Sequence, residues 1–86
     1  MSPTIPLPGP EQLGALMRAV RKSQRLRQDE VGRFSHTFIG EVEMGKPTAQ
    51  IGKVLQALQE LGIKLHAELP SGLDPNLIEQ LRLPPK

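Results

Sequence analysis

The chain has 86 residues, a formal net charge of +2 at pH 7 and no cysteine. This length holds one small domain with tails, and the lack of cysteine excludes disulfides and thiolate metal ligands. The pI of about 9.4 is compatible with a nucleic-acid partner, and no apolar run approaches the ~18 residues of a membrane span. Because the first residues lack the basic start and apolar core of a signal peptide, we expect a cytoplasmic protein.

Residues 1–10 contain four prolines and one glycine, which predicts an extended arm. A first helix begins near Pro10, because proline suits the first helical turn, and Glu11 complements the helix dipole. Apolar residues then recur at three- and four-residue spacing and predict a buried stripe. They are Leu13, Leu16, Met17 and Val20.

Five cations follow within ten residues, and no acidic residue stands among them. They are Arg18, Arg21, Lys22, Arg25 and Arg27. The three on the first helix are predicted to lie mostly off its buried stripe. A charge run is usually a solvated face, but the absence of acids favours an anionic partner. Phosphate contacts from this face would make binding salt-dependent.

The next segment predicts two short helices joined by a tight turn. The first covers about 28–34 with Val31 inward, and the second covers about 36–44 with Ser35 as its N-cap. Phe38 or Ile39 faces inward, and Gly45 ends the second helix. This is the layout of a helix-turn-helix module, whose second helix lies in the DNA major groove.

The same segment has a rival interpretation as one continuous helix. Val31, Phe34, Phe38 and Val42 are spaced three, four and four residues apart, which suits an amphipathic helix over 28–44. Ser35, Thr37 and two glycines, Gly32 and Gly40, are poor helix formers inside that stretch and favour the turn. A fused helix would remove the geometry needed to read a groove.

A longer helix follows, with Thr48 as predicted N-cap and Gly62 at its end. Its predicted core face consists of Ile51, Val54, Leu55, Leu58 and Leu61. Residues 63–69 then alternate in polarity, which predicts a strand. Ile63, Leu65, Ala67 and Leu69 point one way, and Lys64, His66 and Glu68 point the other. A lone strand in a helical monomer lacks a ladder partner, so we expect it to pair with a second copy.

Asp74 and Pro75 predict the start of a last short helix. It carries Leu77, Ile78 and Leu81, which either dock a partner or fold back on the domain. The predicted organisation is an arm at 1–10, a helix-turn-helix domain at 11–69 with a dimerisation strand at 63–69, and a tail at 70–86.

The stretch LGALMRAVRKSQRLRQDEV resembles the first helices of Cro- and phage-repressor-type domains. The stretch FIGEVEMGKPTAQIGKVLQALQELGIKL resembles HipB-type antitoxins, above all in its GKPTAxxGKVLxxLxxLG core. The resemblance covers about residues 13–66. It implies a homodimer formed through C-terminal strands, binding to an operator upstream of its own operon, and a HipA-type kinase toxin as partner, alone or with an accessory subunit.

The sequence departs from that family at three places. Family members carry Gly at the position of Arg25 and Thr at the position of Arg27. The segment between the two short helices is also shorter by about three residues, between Phe34 and Ser35. This shortening puts the DNA-reading geometry in question.

The family pattern assigns candidate DNA contacts to the turn and the second short helix. Gln28 would hold a phosphate, and His36 and Thr37 would meet base edges. The full set of candidates is Arg25, Arg27, Gln28, Ser35, His36, Thr37, Gly40, Glu41 and Lys46. Each has an ordinary alternative role, such as a helix cap or a solvated side chain.

The sequence therefore predicts an all-α, Cro/repressor-like helix-turn-helix domain of about four helices, with one C-terminal β-strand that pairs across a homodimer. The expected function is a nucleoid-associated DNA-binding antitoxin and transcriptional autorepressor of a HipBA-like operon. The alternative is a protein-interaction module of a toxin–antitoxin complex with weakened or lost DNA readout. No catalytic constellation, metal site, cofactor or membrane partner is expected.

Overall fold

The computed structural model describes residues 3–83. It contains four α-helices: α1 (Pro10–Ser23), α2 (His36–Glu43), α3 (Ile51–Glu60) and α4 (Pro75–Arg82). A short 3-10 helix, Gln28–Glu30, lies between α1 and α2. The prediction of a helical domain with about four helices is confirmed, and the described part of the chain has no strand. The outermost residues of the predicted arm (1–2) and tail (84–86) lie outside the described residues.

Residues 63–69 have no regular secondary structure in the single chain. Their predicted partner belongs to a second copy, so the dimerisation strand stays a prediction. The last helix begins as expected, because the Asp74 carboxylate accepts a hydrogen bond from the Asn76 backbone N–H at 2.8 Å. Pro75 is the first helical residue.

The fused-helix alternative is wrong. Gly32 adopts φ +55°, and the Ser35 hydroxyl accepts a hydrogen bond from the Phe38 backbone N–H at 3.1 Å, which starts α2 at His36. The first helix of the pair is shorter than predicted, because only Gln28–Glu30 is helical and the chain then turns. The Phe34 and Phe38 rings stack across this turn with centroids 5.3 Å apart. Aromatic packing thus closes the shortened connection.

The first three helices end in the same hydrogen-bonded motif. After α1, Arg25 N–H donates to the Lys22 carbonyl and Leu26 N–H donates to the Arg21 carbonyl, at 3.0 and 3.1 Å. This is a Schellman motif, which places the residue after the cap in a left-handed conformation. That residue is Gly45 after α2 and Gly62 after α3, but it is Arg25, at φ +60°, after α1. The glycine stops predicted at 45 and 62 are confirmed.

The core draws on α1, α2 and α3 and on the turn before α2. Its fully buried side chains are Met17, Val31, Ile39 and Leu58. On α3 the predicted inward residues Val54, Leu58 and Leu61 are buried, but Ile51 and Leu55 are exposed and Ala57 takes their place. The prediction of Thr48 as helix cap is also wrong. The chain makes a turn there, and α3 begins three residues later with Gln50 as its N-cap.

Gly14 allows the backbones of α1 and α2 to come close together. A Cβ at this position would overlap the carbonyl oxygen of Val42 and lie 2.7 Å from that of Glu43. Both neighbours are backbone atoms, so a side chain at position 14 would push the helices apart. The position of α2 against α1 therefore depends on this glycine.

We expect Gly14→Ala to destabilise the domain by about 1–3 kcal/mol, because overpacking displaces backbone. The matched control is Gly52→Ala in α3, where an added Cβ meets no atom within 4 Å. Alanine there should be neutral or stabilise by about 0.5–1 kcal/mol. Thermal unfolding followed by circular dichroism measures both, and equal melting temperatures for the two variants would refute the close-packing argument.

Candidate nucleic-acid interface

The start of α2 presents polar side chains of the predicted site to solvent. Ser35 caps the helix, as predicted, and the side chains of His36 and Thr37 are exposed immediately after it. The inner face of the same helix carries Ile39 and Val42, both buried in the core. The helix is therefore anchored along one face and free along the other. This is the arrangement that a groove-reading helix needs.

A buried ion pair joins α1 to the end of α2. Arg21 Nε donates to Glu43 Oε2 at 2.7 Å, and Arg21 Nη2 donates to Glu43 Oε1 at 3.0 Å. Arg21 Nη1 also donates to the Leu26 carbonyl at 2.8 Å. The side chains of Arg21 and Glu43 are only 9% and 3% exposed. The prediction that Arg21 lies off the buried stripe is wrong, because it follows Met17 on the buried face of α1.

Gln28 belongs to the same cluster. Its Nε2 donates to Glu43 Oε1 at 3.2 Å, and its amide lies against Gly40, where an added Cβ would be 3.4 Å from Gln28 Oε1. The Gln28 amide therefore packs on the α2 backbone at Gly40, at a distance that an alanine would also accept. The amide oriented by Glu43 is half-buried and faces the recess beside α2.

The ion pair perturbs both titrating groups. Burial acts to raise the pKa of Glu43, but the hydrogen bonds from Arg21 and Gln28, with the charges of Arg21 and Arg18, hold it below its ordinary value. The hydrogen bond to Glu43 raises the pKa of Arg21 although burial opposes this. Both groups are therefore charged at neutral pH.

The other candidate cations differ in whether a carboxylate neutralises them. Arg27 Nε lies 3.1 Å from Asp29 Oδ1, and this hydrogen bond, with the charges of Asp29 and Glu30, raises the pKa of Arg27. Lys46 Nζ lies 2.9 Å from Glu41 Oε2. Both pairs are on the surface, where such contacts contribute little and exchange readily. Four cations of α1 and of the segment between α1 and α2 make no ion pair within residues 3–83: Arg18, Lys22, Arg25 and Arg33.

An open recess between α1 and α2 brings many of the predicted residues together. Its predicted members are Gln28, His36, Thr37, Gly40 and Glu41, and Arg18 lines it from α1. Arg25, Arg27, Ser35 and Lys46 do not line it. Five of the nine predicted residues therefore share one recess, and the other four lie outside its lining.

The predicted dimerisation and docking residues lie on other surfaces. Residues 62–68 line a second, larger groove together with arm residues 3–7 and Leu16. Of the predicted dimerisation residues, Leu65, Ala67 and Leu69 are exposed and Ile63 is half-buried, and Leu69 lies outside the groove lining. On α4, Leu77 and Leu81 are 41% and 63% exposed, Ile78 is half-buried, and no residue of the helix is buried.

Three residues at this site were not predicted from the sequence. Glu43 and Gly14 position α2, and Arg33 adds an exposed cation in the turn that precedes it. One signal was available for the ion pair: Gly14, Met17 and Arg21 share the three- and four-residue spacing of a helix face. Nothing in the sequence indicates that the partner of Arg21 stands 22 residues away.

The comparisons with known proteins give the family. The chain is 53% identical over 64 residues to y4mF of Sinorhizobium fredii, which is described as an uncharacterized HTH-type transcriptional regulator. The matched region covers 71% of this chain and 84% of that relative. The chain belongs to the helix-turn-helix transcriptional regulators. No protein-family model matches it, and no solved structure matches it.

No helix within residues 3–83 is both long enough and apolar enough to cross a membrane. The same residues hold no group of three or more His, Cys, Asp or Glu side chains that could bind a metal ion.

We expect Glu43→Gln to lower the stability of this regulator at pH 7 by about 3–5 kcal/mol, because it leaves the Arg21 charge buried without a partner. The matched control is Glu41→Gln on the same helix, whose surface pair with Lys46 should contribute about 0–1 kcal/mol. Urea and thermal unfolding at pH 7 measure the difference.

The pH dependence of this effect has a definite sign. The pKa of Glu43 in the folded state lies below its ordinary value of 4.5, so its contribution is present above about pH 4.5. It is lost as the pH falls through the folded-state pKa. The difference between the wild-type protein and Glu43→Gln should therefore shrink below pH 4.5. A difference that stayed constant down to pH 3 would contradict the assignment.

Proposed function

We propose that this regulator is a DNA-binding antitoxin and transcriptional autorepressor of a HipBA-like operon. It binds operator DNA as a homodimer and forms a complex with a HipA-type kinase toxin. The observation that carries the DNA-binding part is α2, which is anchored along its inner face and presents His36 and Thr37 outward in a recess that Arg18 also lines.

The proposed docking places α2 in the major groove, with Thr37 and His36 at base edges and Glu41 one turn further along. Arg18 and Arg33 flank the helix as phosphate contacts, and Arg25 adds a third cation at the end of α1. Gln28, oriented by its hydrogen bond to Glu43, is placed to hold a phosphate near the recess. Arg27 and Lys46 contribute only if DNA displaces their surface carboxylates.

The homodimer is supported by residues 63–69, which are exposed or half-buried and begin where α3 ends. Pairing of this segment with a second copy would fix the distance between two α2 helices. Half-sites about one helical turn apart, near 34–36 Å, suit such a dimer.

The kinase partner is supported by the resemblance to HipB-type antitoxins and by the surface of α4. A helix of eight residues with exposed leucines and no buried residue is too short to be stable alone. A helix laid in the groove of a partner uses this pattern. The proposed docking residues are Leu77, Ile78 and Leu81.

A second function has its own supporting observation. Arg27, Lys46 and Gln28 all make contacts with carboxylates inside the domain, and the first helix of the module is reduced to three residues. These features favour an interaction module with weakened DNA readout. A salt-dependent gel shift with the protein's own upstream DNA separates the two functions, since the module would not prefer that DNA over random sequence.

We expect Arg25→Gly to raise stability and weaken DNA binding at the same time. Glycine relieves the strain of the left-handed conformation, which costs about 1–2 kcal/mol for other residues. Part of this gain is offset because glycine loses more backbone freedom on folding than arginine does. The net gain should be up to about 1 kcal/mol. Binding to all sequences should weaken, with a salt slope smaller by about one unit.

The control for Arg25→Gly is Arg25→Lys, which keeps the charge and should keep the salt slope. The contrasting variant is Thr37→Ala, which should change preference at one base pair by about 1–3 kcal/mol and leave the slope unchanged. Equal losses on operator and random DNA for Thr37→Ala would remove Thr37 from the base-reading residues. An unchanged salt slope for Arg25→Gly would remove Arg25 from the phosphate contacts.

We expect Leu81→Ser to weaken binding to the kinase encoded beside this regulator by at least tenfold and to leave its melting temperature within about 1 °C, because Leu81 is exposed in the free chain. The control is Leu55→Ser, which alters an exposed leucine of α3. Titration calorimetry and thermal unfolding give the two readouts. A lower melting temperature with unchanged kinase affinity would show that α4 belongs to the fold.

A further inference from the structure

The segment that follows α3 has a free backbone. Within residues 3–83, the Ile63 backbone N–H donates to the Leu58 carbonyl, but residues 64–69 take part in no backbone–backbone hydrogen bond. All six of these residues are exposed. An extended segment with unpaired donors and acceptors is a template for strand pairing.

The ends of this segment are defined on both sides. Gly62 adopts φ +79°, which closes the motif after α3 and is incompatible with a strand. Pro70 has no backbone N–H and cannot donate to a ladder. Seven residues, 63–69, lie between them. The middle residue of the seven is His66.

We propose that two copies pair residues 63–69 as antiparallel strands in one register, with His66 on the two-fold axis and Lys64 opposite the partner's Glu68. This inference rests on the proposed homodimer and specifies its interface. Two-fold symmetry makes the interface self-complementary, so Glu68 also lies opposite the partner's Lys64. Each dimer then contains two cross-strand pairs of opposite charge.

The side-chain pattern selects this register from the symmetric alternatives. The centre of a register is the point where the two-fold axis crosses the strand pair. If the centre lay between two residues, apolar side chains would lie opposite polar ones, so the axis must pass through a residue. A centre at Leu65 would place Lys64 opposite the partner's His66 and Glu68 opposite the turn at the partner's Gly62. A centre at Ala67 would place Lys64 opposite the partner's Pro70. Only the centre at His66 pairs both charges and all seven residues.

The apolar face is complementary in the same register. Ile63 lies opposite the partner's Leu69, and Leu65 lies opposite the partner's Ala67. The groove beside this segment is walled by arm residues 3–7, with the sequence PTIPL, and by Leu16. These residues carry no charged side chain, so the arm adds apolar cover and does not compete for Lys64 or Glu68.

Cysteine crosslinking tests the register directly, because the chain has no cysteine of its own. Residues directly opposite each other have Cα atoms about 4.5–5.5 Å apart, within the range that a disulfide needs. A residue one position from the axis is about 8 Å from its own copy, given a rise of about 3.3 Å per residue. After mild oxidation, His66→Cys should therefore give a covalent dimer on a non-reducing gel.

The matched variants are Leu65→Cys and Ala67→Cys, which report the two rival registers. Both should remain dimers by light scattering and should crosslink at least tenfold more slowly than His66→Cys. Faster crosslinking at position 65 or 67, or crosslinking at none of the three positions in a dimeric protein, would overturn the register.

Charge reversal provides a second, reversible test. Lys64→Glu or Glu68→Lys alone creates two like-charge pairs in each dimer and should raise the dissociation constant by about 2- to 30-fold. The double variant restores both pairs and should return to within about twofold of the wild-type value. Lys53→Glu, on the exposed surface of α3, is the control and should have no effect. Sedimentation at low salt measures all four variants.

The outcomes separate this inference from the proposed function. A dimeric wild-type protein in which the double variant shows no rescue refutes the register and leaves the homodimer standing. A wild-type protein that is monomeric at micromolar concentration refutes both. Crosslinking at His66 with rescue by the double variant establishes the register whether or not a kinase partner exists.

Discussion

The buried pair of Arg21 and Glu43 is the interaction on which the functional surface depends. It joins α1 to the last residue of α2 through two hydrogen bonds, and Arg21 also holds the Leu26 carbonyl of the following turn. An isolated helix of eight residues is not stable in water, so α2 owes its existence and its direction to tertiary contacts. Moving the two charged side chains from water into the protein interior costs free energy, and the well-aligned hydrogen bonds between them only offset that cost. The pair therefore acts mainly by specifying one arrangement, and Gly14 makes it possible by letting the two backbones meet.

The charges of this small domain divide into two groups with different consequences. One group is satisfied within the protein, as in the pairs of Arg21 with Glu43, Arg27 with Asp29 and Lys46 with Glu41. The other group, which consists of Arg18, Lys22, Arg25 and Arg33, makes no ion pair within the described residues, and Arg18 lines the recess beside α2. Arg25 belongs to this second group although its backbone adopts the left-handed conformation that glycine accepts most easily. The left-handed conformation closes the motif after α1, and it leaves the Arg25 side chain exposed.

Two pairs of exposed leucines lie outside α2. Leu65 and Leu69 follow α3, and Leu77 and Leu81 lie on α4. A chain of 86 residues buries a limited fraction of its surface and gains stability from association. The proposed arrangement uses one surface for a second copy and the other for a different partner. DNA reading, self-association and partner docking would then occupy three regions that can be altered separately by mutation.

The sequence by itself determined the helix starts and stops that depend on local chemistry. Pro10, Ser35, Asp74 and the glycines at 45 and 62 mark helix ends in the sequence and in the structure, because caps and left-handed residues act over a few neighbouring positions. It also indicated the helix-turn-helix layout, which the family membership supports. The choice between a turn and a fused helix at 28–44, the burial of Arg21 and the exposure of Ile51 were decided only by the tertiary structure. Each depends on which residues, distant in sequence, pack against the segment, and hydrophobic periodicity describes one helix face without naming the surface that covers it.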